Sequence, residues 1–282
     1  MKQPVVAIVG VGLIGASIGL ALRARKKASR IIGIGRRPTS LRKAKQVGAV
    51  TETTTDLAAG VRDANWIIVC TPVESVVDFV RSAAEQAPAG VILTDVGSTK
   101  EAICQGADQA LADLPGKFFV GSHPMAGSEK TGPQFGRADL FHKRTVILTP
   151  TSASHPAAVK KVTAFWKALG AKTFSMTPAE HDAAVAGISH APHVIASALA
   201  AATPENELPL AAGGFADSTR IAAGDVELWR QILLGNGGRT LQALARFEKV
   251  LSDFRAALEA NDARRLCELL EAGKRRRDAL AS

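Results

Sequence analysis

An α/β fold is predicted: a doubly wound, mostly parallel sheet over residues 1–175, followed by an all-α region over 176–282. Three observations predict it. Short β-branched runs alternate with helical stretches along the first region, as in repeated βαβ units. A glycine-rich turn sits between the first strand and the first helix. Beyond Thr177-Pro178, a capped helix start with Pro in the first turn, no strand pattern recurs.

Pro4-Val5-Val6-Ala7-Ile8-Val9 reads as a buried parallel strand, being short, continuous and β-branched. The turn Gly10-Val11-Gly12-Leu13-Ile14-Gly15 follows at once, and residues 16–25 read as a helix. In that context each glycine has a task. Gly10 makes the tight turn, Gly12 lets the backbone approach a pyrophosphate, and Gly15 lets helix and strand pack closely. The helix N-terminus then faces the anion. Gly10, Gly12, Leu13, Ile14 and Gly15 are therefore candidate dinucleotide-binding residues. The second strand, Arg30-Ile31-Ile32-Gly33-Ile34, ends at Gly35, where an NAD-selective turn carries an acid for the ribose 2′-hydroxyl. Arg36, Arg37, Thr39 and Ser40 follow, guanidinium and hydroxyl groups that suit a 2′-phosphate. NADP is expected ahead of NAD.

Residues 41–47 suggest a helix stopped by Gly48, and Asp56 opens another. The strand at 64–70 closes on Thr71-Pro72, two further candidate cofactor contacts. Residues 75–86 are helical, and the strand at 90–94 leads into Asp95-Val96-Gly97-Ser98-Thr99-Lys100. Ser98-Thr99-Lys100-Glu101 reads as a capping box, with Ser98 as N-cap. Phe118-Phe119-Val120 is the next strand. Gly121-Ser122-His123-Pro124-Met125-Ala126-Gly127 follows and reads as a loop, outside the carboxyl ends of the strands, where α/β proteins place their chemistry. Strands at 144–149 and 172–176 flank a helix at 157–169.

In the helical region, residues 180–202 read as one Ala-rich helix, and Pro192 within it suggests a kink. His190 and His193 share a face, while His181, nine residues before His190, points to the opposite side. Residues 228–234 form a short helix. Over 240–260, Leu241, Leu244, Phe247, Leu251, Phe254 and Leu258 make an apolar stripe, suited to core packing or to a dimer interface. Asn261-Asp262 breaks that helix and a last one follows. The stretch from Gly213 to Ala222 reads as a loop opening a helix. Its Arg220 is either a surface charge paired with Asp217 or a bidentate clamp for a substrate carboxylate.

Composition narrows the function further. The net charge of +9 comes with only 5% aromatic residues and no basic–aromatic interleaving, which favours an anionic small molecule over nucleic acid. The chain has no tyrosine, which excludes any mechanism with a phenol as proton-transfer group. Three widely spaced cysteines suggest neither a disulfide framework nor a zinc site, and His190 and His193 lack further ligands, so no metal is expected. No apolar run long enough to span a membrane is free of charge, and the first strand starts too early for a signal peptide. A reducing cytoplasm is the expected setting.

Taken together, Gly10-x-Gly12-x-x-Gly15, Asp95-Val96-Gly97-Ser98-x-Lys100, Gly121-Ser122-His123-Pro124-Met125-Ala126-Gly127, His181-Asp182, Ser189-His190-x-Pro192-His193 and Asp217-x-Thr219-Arg220-Ile221-Ala222 resemble the motifs of the prephenate and arogenate dehydrogenases of tyrosine biosynthesis. The resemblance runs over nearly the whole chain, in order. It implies a Rossmann domain followed by a helical substrate-binding and dimerisation domain, and hence a homodimer. It also implies oxidation of a cyclohexadienol with loss of its ring carboxylate as carbon dioxide. His123 would be the general base, and Ser98 would orient it and contact the nicotinamide. Arg220 would hold the ring carboxylate, and His193 and His190 would face the substrate's side chain. Glu129 and Asp217 match acidic positions that gate Arg220, and Trp229 matches a tryptophan near the pocket or is simply a core aromatic. Gly35 departs from the acid that many relatives carry.

Two rival readings remain at this point. A β-hydroxyacid-type dehydrogenase has a similar architecture but needs a catalytic lysine on the first long helix of its second half, and residues 180–202 contain none. A non-catalytic NADP-sensing dimer would leave His123 without a task.

Overall fold

The structure, a computed structural model, describes residues 3–127 and 130–280. At its centre is β1 (Val5–Val9), whose alternating side chains build two cores at once: Val6 and Ile8 enter one, Ala7 and Val9 the other. β1 pairs in parallel with β2 (Arg30–Ile34) on one side and β4 (Trp66–Val69) on the other. Outside β2 lies β3 (Glu52–Thr54), and beyond β4 come β5 (Ile92–Asp95), β6 (Phe118–Pro124), β7 (Thr145–Thr149) and β8 (Lys172–Ser175). Pairing is parallel from β3 through β6; β7 runs antiparallel to β6, and β8 is parallel to β7. This is the doubly wound, mostly parallel sheet that the sequence predicts. β3 had no sequence signal, because Glu52-Thr53-Thr54 is short, polar and at the sheet edge.

Helices cover both faces. α1 (Leu13–Ala24), α2 (Pro38–Gln46) and α6 (Pro156–Ala168) pack on the Val6 and Ile8 side, and Trp166 of α6 is fully buried there. α3 (Leu57–Val61), α4 (Val76–Gln86) and α5 (Glu101–Leu111) pack on the Ala7 and Val9 side. The strand order reverses between β1 and β4, and that switch point opens a crevice at the carboxyl ends of the two strands.

The rest of the described chain is all-α, as expected. α7 (Pro178–Val185), a π-helical turn at Ala186–His190 and α8 (Ala191–Ala202) form one continuous helix. Its start carries the predicted cap, with Thr177 and Glu180 closing a reciprocal capping box ahead of Pro178. Pro192 lacks the N–H that would bond back to Ile188, and the π turn lies immediately before it. The irregularity expected at Pro192 is thus a change of helical register. By length and composition alone residues 178–202 are apolar enough to cross a membrane. His181 and Asp182 within that helix are nevertheless buried and bonded to the sheet domain.

α9 (Gly213–Thr219) runs into a 3₁₀ turn at Arg220–Ala223, followed by α10 (Val226–Gly235), α11 (Gly237–Glu259) and α12 (Ala263–Asp278). The apolar cluster of these helices is small, built on Ala186, Ala191 and Ala243. Leu244 of the predicted stripe packs against it, but Leu241, Leu251 and Leu258 face outward.

Candidate active site

His123 lies inside β6, where the sequence predicts a loop. The first residues of β6 pair with β5, and Gly121 to Pro124 then pair with β7, so that His123 stands opposite Ile147. The extension needs a partner strand more than 20 residues downstream, which local sequence does not reveal. Gly121 permits it: a side chain there would begin 2.5 Å from the Thr149 hydroxyl and 2.6 Å from the Cys104 sulfur. Ser122 locks β6 from the opposite face. Its amide donates to Asp95 Oδ1 (3.1 Å), its hydroxyl donates to the Asp95 carbonyl (2.7 Å), and Trp166 Nε1 donates to that hydroxyl (3.1 Å). Asp95 also holds the Gly97 amide and forms a fully buried ion pair with Lys100.

On this frame His123 is 8% exposed, and its Nδ1 lies 2.8 Å from Nε2 of His181. His181 Nδ1 lies 2.7 Å from Asp182 Oδ1. Asp182 reaches across to cap α5, accepting the amides of Lys100 (2.7 Å) and Glu101 (2.9 Å). Ser98 is therefore not the N-cap of that helix. The structure shows no hydrogen bond from the Ser98 hydroxyl to His123 either, and His181 occupies that position.

His181 reaches His123 from a helix that also presents His190 and His193. An α-helix turns about 100° per residue, which would set His181 and His190 on opposite sides. The π turn between them absorbs an extra residue and re-phases the helix. Asn236, at the start of α11, then ties the two segments together. Its Nδ2 donates to the Asp182 carbonyl (2.7 Å) and to His190 Nδ1 (3.2 Å), leaving His190 Nε2 buried without a partner. His193 stacks on Trp229, with ring centroids 3.5 Å apart, and its Nδ1 is also buried and unpartnered.

Burial is the first influence on these imidazoles. With the neighbouring His181, Lys100 and His190 it holds His123 well below its ordinary pKa. Burial also brings His190 down to about 4 and lowers His193. Burial alone would raise the Asp182 carboxyl, but the bonds from His181, Glu101 and Lys100 outweigh it and hold Asp182 below the ordinary carboxylate value. The site thus links an ionised carboxylate, through His181, to a buried His123 that burial keeps uncharged, a combination suited to taking a proton near neutral pH.

Residues 18–175 match the family model for the nucleotide-binding domain of prephenate dehydrogenase, and residues 177–272 match its dimerization domain. A curated prephenate dehydrogenase of Bacillus subtilis is 36% identical over 99% of this chain and 76% of its own. The chain belongs to the prephenate dehydrogenase family. Among solved structures of the family, prephenate dehydrogenase from A. aeolicus, in complex with hydroxyphenyl propionate and NAD+, superposes with a TM-score of 0.91 at 30% identity over 99% of both chains. Arogenate dehydrogenase from Synechocystis superposes at 0.82 and 30% identity, over 98% of this chain and 99% of that one. Family membership makes this chain a nicotinamide-dependent dehydrogenase and sets aside both rival readings.

The residues that a family cofactor needs are in place. Gly10 has φ +95°, and a side chain on it would begin 2.5 Å from the Cys70 carbonyl. At Gly15 a Cβ would stand 2.1 Å from the Gly10 carbonyl, yet at Gly12 it would meet nothing within 4 Å. Gly10 and Gly15 are fixed by packing, whereas Gly12 faces the open space that a pyrophosphate would fill. A cavity of about 400 Å³ continues from there, lined by Gly12, Gly35, Arg36, Arg37, Ser40, Thr71 and Pro72 among others. The Thr71 hydroxyl is buried in it with no hydrogen-bond partner among the described residues. Leu13, Ile14 and Thr39 lie next to the cavity in sequence but do not line it.

The remaining expected residues stand apart from this cluster. Asp217 and Arg220 lie on the exposed segment of α9 and its 3₁₀ turn, packed along α8, and no ion pair joins them. A Cβ on Gly224, just after that turn, would begin 2.5 Å from Trp229 and 3.2 Å from His193. Glu129 lies outside the described residues. The sequence reading missed His181 and Asp182 as site residues, although their dipeptide was part of the matched motifs. Asn236 had no sequence signal.

Proposed function

We propose that this dehydrogenase oxidises and decarboxylates prephenate or arogenate, with NADP preferred over NAD, in a cleft between a Rossmann domain at 1–175 and a helical domain at 176–282. One observation carries the reading. The only ring nitrogen of His123 left for a ligand is Nε2, on an imidazole that burial keeps uncharged. His123 takes the proton of the substrate's carbinol hydroxyl. The nicotinamide, when bound, accepts the hydride from the carbinol carbon. As the hydroxyl becomes a carbonyl, the bond to the ring carboxylate breaks, carbon dioxide leaves, its electron pair closes the aromatic ring, and the resulting phenolate oxygen takes a proton back from His123 to give the phenol.

Arg220 holds the ring carboxylate, with Glu129 and Asp217 gating it. His193 and the unpartnered Nε2–H of His190 face the substrate's side chain, and Ser98 contacts the nicotinamide. Arg36, Arg37, Thr39 and Ser40 serve the 2′-phosphate, a reading supported by the absence of an acid at Gly35. The outward leucines of α11, with Leu234 (71% exposed) and Leu270 (62%), support a homodimer through the helical domain. Three free cysteines fit a cytoplasmic setting.

The test is His123→Asn. Turnover is expected to fall by roughly 10² to 10⁴ with cofactor affinity retained. Wild-type turnover would overturn the assignment of the base. Assays of both substrates with both cofactors then decide the specificity.

A further inference from the structure

We propose that His181 and Asp182 act as a positioning pair that fixes the tautomer of His123, so that Nδ1 carries the proton and Nε2 presents its lone pair to the substrate. The inference rests on His123 being the base. A hydrogen bond between two ring nitrogens 2.8 Å apart contains one proton, and the structure decides which ring supplies it. Asp182 Oδ1 accepts the Lys100 amide and Oδ2 accepts the Glu101 amide, so the carboxylate is held as an acceptor. The nitrogen facing it, His181 Nδ1, must then be the donor. An uncharged imidazole that donates from Nδ1 accepts at Nε2. With His181 as such an imidazole, its Nε2 accepts and His123 Nδ1 donates; a His181 protonated on both nitrogens would reverse the bond, an outcome that ¹⁵N labelling detects. Nε2 of His123 is left bare.

The reverse arrangement would point an N–H at the substrate hydroxyl, and His123 could accept no proton from it. In serine proteases a carboxylate sets one imidazole in the same way, and losing it costs about 10⁴ in turnover by trapping the wrong tautomer. Here the carboxylate sits one imidazole further away. The same carboxylate docks α7 onto α5, so the contact that joins the two helices also sets the base.

Histidine-selective ¹⁵N labelling of the full chain tests this directly, because two-bond ¹H–¹⁵N correlations separate protonated from bare ring nitrogens. With six histidines, single substitutions assign each ring. His123 and His181 are both expected to be protonated at Nδ1 and bare at Nε2. A proton on Nε2 of His123 would overturn the proposal. In turnover, His181→Phe is expected to lose about 10²-fold or more in kcat with substrate KM little changed. His181→Gln, which keeps an acceptor toward His123, is expected to recover at least about tenfold of that loss. A folded His181→Phe enzyme with wild-type kcat would also overturn it, while His123→Asn remains inactive. If His123→Asn itself turns over normally, the failure lies in the choice of base. Should His181→Phe not fold, the spectra of the wild-type chain still decide.

Discussion

In the turn after β1, Gly10 and Gly15 work through side chains they lack, each fixed by a backbone carbonyl within 2.5 Å of where a Cβ would be, and Gly12 leaves the space between them open. On the facing side, His181, Asp182, His190 and Asn236 work through side chains, and their hydrogen bonds to one another, to His123 and to Lys100 include ones that span 46 to 82 residues of sequence. The first half is local geometry written in consecutive residues. The second exists only once distant elements have docked. Changes on the cofactor side are therefore expected to affect cofactor affinity, and changes on the facing side to affect turnover and domain cohesion.

The largest expected effect comes where the two halves meet. Lys100→Met leaves the fully buried Asp95 charge without its partner and should cost about 3–5 kcal/mol in urea unfolding. A loss near zero would mean that Asp95 is already satisfied by the Gly97 and Ser122 amides. Next, Gly15→Ala forces a Cβ against the Gly10 carbonyl and should cost about 1–3 kcal/mol. Its cofactor affinity, followed by nucleotide fluorescence, should fall more than its substrate affinity. Equal losses would blur the division between the halves.

The double change Arg36→Ala and Arg37→Ala removes two guanidinium groups from the cavity wall. It should lower kcat/KM for NADP by roughly 10- to 100-fold while changing NAD by less than about threefold. A parallel fall for both cofactors would make these arginines general contributors to the field. The smallest effect is a displaced pH profile. Because His123 lies well below its ordinary 6.5, the base stays unprotonated into mild acid, and the acid limb of kcat/KM should fall below pH 6.5. Stability should follow the same sign. Below pH 6.5 the unfolded chain binds protons that buried His123 and His190 refuse, so stability falls as pH drops from about 6.5 towards about 4. Thermal melts across that range would reveal it.

The sheet was legible in the sequence because each strand of its parallel core is a short apolar run followed by its own turn, information carried within a few residues. So was the cofactor turn. The substrate side was less so. Ser98 offered a good local cap, yet Asp182, 82 residues beyond Lys100, took the amides of α5 with a full carboxylate. His123 read as a loop residue because β7, its pairing partner, is distant in sequence. Helical periodicity put His181 on the wrong face because it assumes an unbroken 3.6-residue repeat.

That repeat is broken in one place, and the π turn at Ala186–His190 has a consequence for how the chain tolerates change. It acts as an offset of one tooth between two meshed gears, with Asp182 and His181 engaged before it and His190 and His193 after it. Substitutions at the exposed positions of the turn, Gly187 and Ile188, leave the phase intact. Deleting a single residue there would rotate the downstream histidines by roughly 100° relative to His181. The site should accept many different side chains at the exposed positions of this segment, and no change in its length.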